Sequence, residues 1–334
     1  MRCWKPLFNR KGLFYLRKNK LDTKTIQSLD TFDKLTDKSF DEAFEDFCDD
    51  RLRSGTREST IDYYRKEIAM LRRFIIREKS GIIKISEIDK QLLDGFVVFL
   101  RDERGNSLGG INSKIRAVRA FLFYCKDMKY LLNNPGDKWK EIRGKEPEIN
   151  SFTTAQLKVL LKQADRETFT GLRDYNLMLF LLDTGARISE ALSVKIDDIL
   201  MSEGRVYLRN TKSNLSRYVP ISERLRNELK QYLRVHDDMS EFVFCSLDGQ
   251  LLNRNRIRYV LNGYGKQANI KNVRCSPHTF RHTFAKFYIL NGGDAFSLMQ
   301  IMGHSTLDMT KKYVRLFSTD VVNKHKQYSP MNNL

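Results

Sequence analysis

Between Ser39 and residue 131, apolar side chains recur at steps of three and four, a spacing that gathers them along one side of an α-helix. Phe40, Ala43, Phe44, Phe47 and Cys48 make the first stripe. It is opened by Ser39 with Glu42 three positions on, the reciprocal capping-box pair. A second stripe over residues 59–79 carries Ile61, Tyr64, Ile68, Leu71 and Ile75. A third starts at Ser86, with Asp89 three positions on; it holds Leu92, Leu93, Phe96, Val97 and Leu100 and stops at Gly105. The fourth, residues 111–131, carries Ile111, Ile115, Val118, Leu122 and Cys125. Four one-sided helices bury their stripes only against one another, which predicts a small helical bundle.

After it the pattern changes. Asn133-Asn134-Pro135-Gly136 breaks the fourth helix, and the charged, polar stretch up to residue 150 reads as a linker. A new domain begins near Ser151, with Thr153 or Thr154 as an N-cap. An apolar helix over 177–184 ends at Gly185. Residues 204–221 then alternate, Val206 and Leu208 against Arg205, Tyr207 and Arg209, with a second extended run over 217–221: a β-hairpin with a polar tip at 210–214. Helices are expected again over 223–235, 255–268 and 279–290, with short pieces up to Tyr313. The 334 residues thus divide into a basic arm (1–38), a helical domain (39–136), a linker (137–150), a mainly α second domain with a small antiparallel sheet (151–317) and a tail (318–334). The arm, with a short strand near residues 13–16, either lies on phosphates or is a solvated extension.

Charge narrows the choice of partner. Fifty-nine Lys and Arg against 41 Asp and Glu leave +18, which points to a polyanion and first to nucleic acid. The five cysteines are odd in number, scattered and never spaced C-x-x-C, so neither a zinc site nor a disulfide framework follows. Apolar runs such as 177–182 are far shorter than the roughly 18 residues of a membrane span, and no signal-length stretch opens the chain. A cytoplasmic protein with no membrane partner is expected. On the fourth helix Lys114, Arg116 and Arg119 lie off the apolar stripe, where they are either a solvated face or contacts to phosphates.

The unusual residues sit in five short stretches around Arg187, Lys212, His278 with Arg281, His304 and Tyr313. Taken singly, each has an ordinary explanation. The arginine after a glycine would be a surface ion-pair partner, the hairpin lysine solvated, the tyrosine packing. His278 and His282, four apart, invite a metal, but no third ligand stands at a convincing spacing. Together they ask for more. His278 and Arg281 share a helix face, and with Arg187, Lys212 and His304 they make five groups able to donate to an anion. Such a set suits a pentavalent phosphorane, whose charge accumulates on non-bridging oxygens. No Gly-rich nucleotide cradle and no carboxylate cluster for a two-metal site is evident, so the nucleophile is expected to be a side chain, with Tyr313 the candidate.

These boxes resemble the tyrosine site-specific recombinases of the lambda-integrase and Xer family. Gly185-Ala186-Arg187-Ile188-Ser189-Glu190 matches the first box, His278 and Arg281 the H-x-x-R box, Gly303-His304 the G-H motif, and Tyr313 the tyrosine nine residues later. Met302 stands where the family more often has leucine. The resemblance implies that Tyr313 attacks the scissile phosphate to form a 3′-phosphotyrosyl bond. It implies that Arg187 and Arg281 hold the non-bridging oxygens, His304 donates a further hydrogen bond, Lys212 protonates the leaving 5′-oxygen, His278 assists proton transfer at the tyrosine and Glu190 orients the site. It further implies a helical core-binding (SAM-like) domain and a catalytic domain closing as a clamp on double-stranded recombination sites. Arg254, Arg256 and Arg258 join Lys114, Arg116 and Arg119 as candidate DNA contacts. A homotetramer would work through a Holliday junction, with the tail around Val321 and Val322 packed on a neighbouring protomer. No ATP, metal or other cofactor is implied; an accessory directionality factor is a candidate further partner. The extra 38 residues favour integration or excision of a mobile element. Xer-like dimer resolution, a type IB topoisomerase and a non-catalytic DNA-binding protein of the same fold are the alternatives.

Overall fold

The computed structural model describes residues 38–79, 83–144, 150–209, 216–237, 239–304 and 306–317, together with His325, Ser329 and Met331. The expected strand near residues 13–16, the hairpin tip with Lys212 and the tail around Val321 lie outside them.

The chain divides into two compact units at residues 146 and 147. In the first, α1 (Phe40–Arg53), α2 (Glu58–Glu78), α3 (Lys90–Val98) and α4 (Leu108–Asp127) form the bundle. Ser39 and Glu42 close the capping box as expected. The third helix begins later than Ser86: residues Ile85–Glu87 form a single 3₁₀ turn, and Asp89 caps α3 by accepting from the Leu92 N–H. α3 then widens into a π-turn over Phe99–Glu103 before Gly105. The fourth starts earlier than expected, because Ser107 accepts the Gly110 N–H and draws Leu108 into the helix. The core is aromatic. Phe121 meets Phe40, Phe44 and Phe47 edge to face at centroid distances of 5.4–5.7 Å, geometry favoured by the ring quadrupole.

Residues 137–144, read as the start of a linker, are docked on this unit. Trp139 is buried in its core, and Asn112 on α4 both donates to the Ile142 carbonyl (3.0 Å) and accepts from its N–H (2.9 Å). The polar composition hid one large apolar anchor.

The second unit holds α5 (Thr154–Leu161), α6 (Phe169–Thr184), α7 (Ile188–Leu192), α8 (Glu223–His236), α9 (Arg254–Gln267), α10 (Pro277–Leu290), α11 (Ala295–Met302) and α12 (Leu307–Phe317). Thr153, with Gln156, caps α5. The sheet runs β1 (Ile199–Leu200), β2 (Arg205–Leu208), β3 (Arg217–Pro220), all antiparallel. β1, two residues long, carries no readable alternation and was not expected. α6 is almost wholly buried, packed between α8 and α10. α10 starts two residues ahead of Thr279, since Ser276 caps it and Pro277 occupies the first turn, where its missing N–H costs nothing. No helix among the described residues is long and apolar enough to cross a membrane.

Candidate active site

Two glycines set the site's geometry. Gly185 ends α6 at φ +60°, and a Cβ there would stand 2.3 Å from the Phe284 ring. The chain turns sharply and starts α7 with Arg187 as its N-cap. Gly303 ends α11 at φ +63°, again left-handed, and presents His304 at the head of the turn into α12. Both turns need a residue free to take positive φ.

Around these turns the cations gather. Arg187 donates to Glu190 (2.8 Å) and to the Gly303 carbonyl (3.3 Å). Arg281 on α10 is buried, with Nη1 on the Gly185 carbonyl (2.6 Å) and Nη2 on the Met302 carbonyl (2.7 Å). One guanidinium thus ties the end of α6 to the end of α11. Glu190, whose side chain is fully buried, accepts from Arg187 and also from Arg217 at 3.0 and 3.3 Å. Burial alone would raise its carboxyl, but Arg217 and Arg187 outweigh that and hold it below the usual carboxylate range.

Arg217 was not singled out from sequence. It sits on β3 in register with Leu208 and two residues from buried Val219, so its side chain leaves the inner face of the hairpin, where its Nε donates to the Ile301 carbonyl at 2.7 Å. An arginine on the apolar side of an alternating strand is the signal that could have found it.

The three imidazoles are all depressed. His304 is pushed down to about 4, first by burial and then by Arg281, Arg187 and Arg217. His278 is lowered by burial, then by Arg258, Arg281 and Arg187. His282 is lowered by burial, then by His278 and Arg281. Arg281 itself falls to about 10, through burial and its neighbour Arg187. Cations held against mutual repulsion mark a pocket complementary to an anion. The Thr310 hydroxyl, buried, meets His304 Nδ1 at 2.9 Å. With the hydroxyl donating, the ring hydrogen lies on Nε2, free for an oxygen of that anion.

Tyr313 completes the group. Its ring is buried in a small apolar cluster with Ala285, Ile289, Leu298 and Met302, and lies 6.3 Å from the His304 ring, nearly parallel. Its hydroxyl is hydrogen-bonded at 2.7 Å to Nδ1 of His282. Burial raises its phenol above the usual value, an effect that Arg281 opposes. Of the expected residues, Arg187, Glu190, His278, Arg281, His304 and Tyr313 are therefore brought together, and Arg258 on α9 reaches their edge. Among the described residues no cluster of three His, Cys, Asp or Glu side chains is placed to hold a metal ion.

The other basic candidates fare differently. Arg254, Arg256 and Arg258 are exposed at the start of α9. Lys114 is withdrawn into a little-exposed ion pair with Glu67 (2.9 Å) that braces α4 on α2. Arg116 is exposed and paired to Glu141 at 2.6 Å, while Arg119 is half-buried over the Phe123 ring.

Residues 150–319 match the phage integrase family, and residues 39–141 match the phage integrase SAM-like domain. The chain belongs to the phage integrase family. Among its relatives, tyrosine recombinase XerD of Staphylococcus haemolyticus is 26% identical over 286 residues, covering 84% of this chain and 95% of that protein. XerD of Listeria monocytogenes is 27% identical, covering 83% and 94%. The Tn1549 transposon integrase in complex with a circular intermediate DNA shares the fold with a TM-score of 0.69 at 19% identity, over 87% of this chain and 99% of that one. A lambda integrase tetramer bound to a Holliday junction gives 0.69 at 13%, over 87% and 83%. This integrase-family chain is thus a tyrosine site-specific recombinase, a DNA-binding enzyme that cleaves and rejoins DNA strands.

Proposed function

We propose that Tyr313 is the nucleophile of this recombinase and that Arg187, Arg281 and His304 stabilise the phosphorane it creates. The observation that carries this reading is the convergence of the Arg187 and Arg281 guanidinium groups, which press on each other and hold the His304 imidazole neutral, around the tyrosine ring. A scissile phosphate entering there relieves the repulsion, and it does so most when charge peaks on its non-bridging oxygens. Arg187 and Arg281 supply guanidinium donors, and His304 donates from Nε2. Glu190 is a positioning residue that fixes Arg187 and Arg217. His278 lies beside Arg281 and Arg258 and contributes to the same field; its expected part in proton transfer belongs to this reading too. Lys212 protonates the departing 5′-oxygen. The 3′-phosphotyrosyl link conserves the phosphodiester bond energy until a second 5′-hydroxyl attacks.

In the same reading the enzyme works in the cytoplasm as a homotetramer on double-stranded sites and integrates or excises a mobile element, with an accessory factor setting direction. Arg116, Arg119, Arg254, Arg256 and Arg258 contact its DNA. The strongly basic segment 1–38, with ten basic and four acidic residues, supports an additional contact to the phosphates of that DNA. The test is covalent trapping on nicked duplexes carrying the DNA that adjoins the gene, in EDTA. Wild type should form an adduct, and Tyr313→Phe should bind the same DNA and form none. Undiminished cleavage by that variant would remove Tyr313 from its role. Circularisation of the flanking segment would assign a mobile element; resolution of a plasmid dimer at a chromosomal site would assign Xer-type work.

A further inference from the structure

We infer that His282 is a catalytic residue of this recombinase: its Nδ1 takes the phenolic proton of Tyr313 as Oη attacks phosphorus. The inference rests on Tyr313 being the nucleophile.

The 2.7 Å contact joins His282 Nδ1 to the reacting oxygen itself, within the reach required of a general base. Helix geometry creates it. His282 follows Arg281 on α10 and stands one turn beyond His278, so the segment that carries the buried Arg281 guanidinium also brings an imidazole to the tyrosine. The rings of His282 and Tyr313 are tilted by 45° with centroids 5.7 Å apart. They meet through their polar atoms rather than by stacking.

The ring's protonation suits the task. Burial, His278 and Arg281 all lower His282, so at neutral pH it is uncharged and can accept. The same burial raises the Tyr313 phenol, so the hydroxyl keeps its proton until attack and needs an acceptor. Charged and titratable groups near the pair are His278 and Arg281 on α10 and His304 ahead of α12; Arg281 favours the phenolate and disfavours a second cation on His282. A scissile phosphate in the cation cluster offsets that positive field, so DNA binding itself makes the imidazolium easier to form.

The step balances. The Oη–P bond forms as the P–O5′ bond breaks; the phenolic proton passes to Nδ1, and the 5′-oxygen leaves with a proton from the opposite side of the phosphorane. In rejoining, the imidazolium returns its proton to Oη as the 5′-hydroxyl displaces it. His282 therefore serves both half-reactions.

The experiment compares wild type, His282→Asn and His282→Ala in single-turnover adduct formation on a nicked duplex that the wild type cleaves, at equal DNA occupancy. Asparagine places a hydrogen-bonding amide atom near the position of Nδ1 but cannot take the proton, so it separates positioning from proton transfer. Both variants are expected to form adduct about 10²-fold slower or worse, the usual range for a lost general base. A His282→Asn rate within tenfold of wild type overturns the inference. A second measurement uses the unaltered protein. ¹⁵N-histidine spectra should show His282 as the tautomer protonated on Nε2, and a hydrogen on Nδ1 would overturn the inference even if the variants failed to fold. If Tyr313→Phe cleaves the same duplex as fast as wild type, the failure lies with Tyr313 as nucleophile and not with His282.

Discussion

At the scale of single residues, the site stores positive charge that its own fold does not neutralise. Glu190 is the one carboxylate hydrogen-bonded within the described cluster, and it is divided between Arg187 and Arg217. The histidines answer by staying neutral. Because His304 is held near 4 in the folded chain and sits near 6.5 when unfolded, the unfolded state binds more protons between those values. Its contribution to stability is therefore complete above pH 6.5 and is lost as pH falls toward 4. The melting temperature of the free protein should decline across that window. In His304→Asn, which cannot titrate, the decline should be shallower; an identical profile would place the acid sensitivity elsewhere.

Elements matter here mainly through their ends. The groups proposed to be catalytic stand where helices stop or start: Arg187 at the head of α7, His278 and Arg281 in the first turns of α10, His304 just past α11. The left-handed turn at Gly303 holds two of these relationships, since its carbonyl receives Arg187 and its Cα faces the Arg217 guanidinium. A Cβ there would lie 2.7 Å from Arg217 Nη1, and Arg217 is tethered to Glu190 and to the Ile301 carbonyl. Gly303→Ala should cost about 1–2 kcal/mol from the left-handed backbone alone, a fall in melting temperature of several degrees for a unit of this size. Adduct formation should fall further than stability does, because the turn carries both Arg187's anchor and His304. Calorimetry paired with the trapping assay would check this; wild-type trapping by a destabilised variant would reduce the turn to a structural feature.

For the molecule as a whole, the +18 excess is spread along the chain and not confined to the catalytic pocket. Binding to its DNA should release many counterions, so affinity should drop by about 10³-fold or more between 50 and 200 mM salt. Arg254→Ala should flatten the slope of log K against log salt by about one. Lys114→Ala should leave the slope nearly unchanged and instead lower stability, because Lys114 braces α4 against Glu67 on α2. Titrations at several salt concentrations measure all three, and a salt-independent affinity would contradict phosphate contacts.

Local pattern determined a good deal by itself. Periodicity of three and four located the bundle helices, alternation located the β2–β3 hairpin, and Ser39, Thr153 and Gly185 marked element ends, because each is a rule about neighbours in sequence. The spacing of five short boxes was enough to bring Arg187, His278, Arg281, His304 and Tyr313 into one hypothesis. Other features depended on contacts between distant parts of the chain. Trp139 turned a polar stretch into part of the first core. Glu67 removed Lys114 from the exposed cations. Arg217 entered the site through the register of a strand, and His282 met Tyr313 only because α10 and α12 pack together. Hydrogen bonds act over about 3 Å of space whatever the number of residues between their partners. The chain's pattern can therefore announce which chemistry is present, while the tertiary structure decides which imidazole touches the tyrosine.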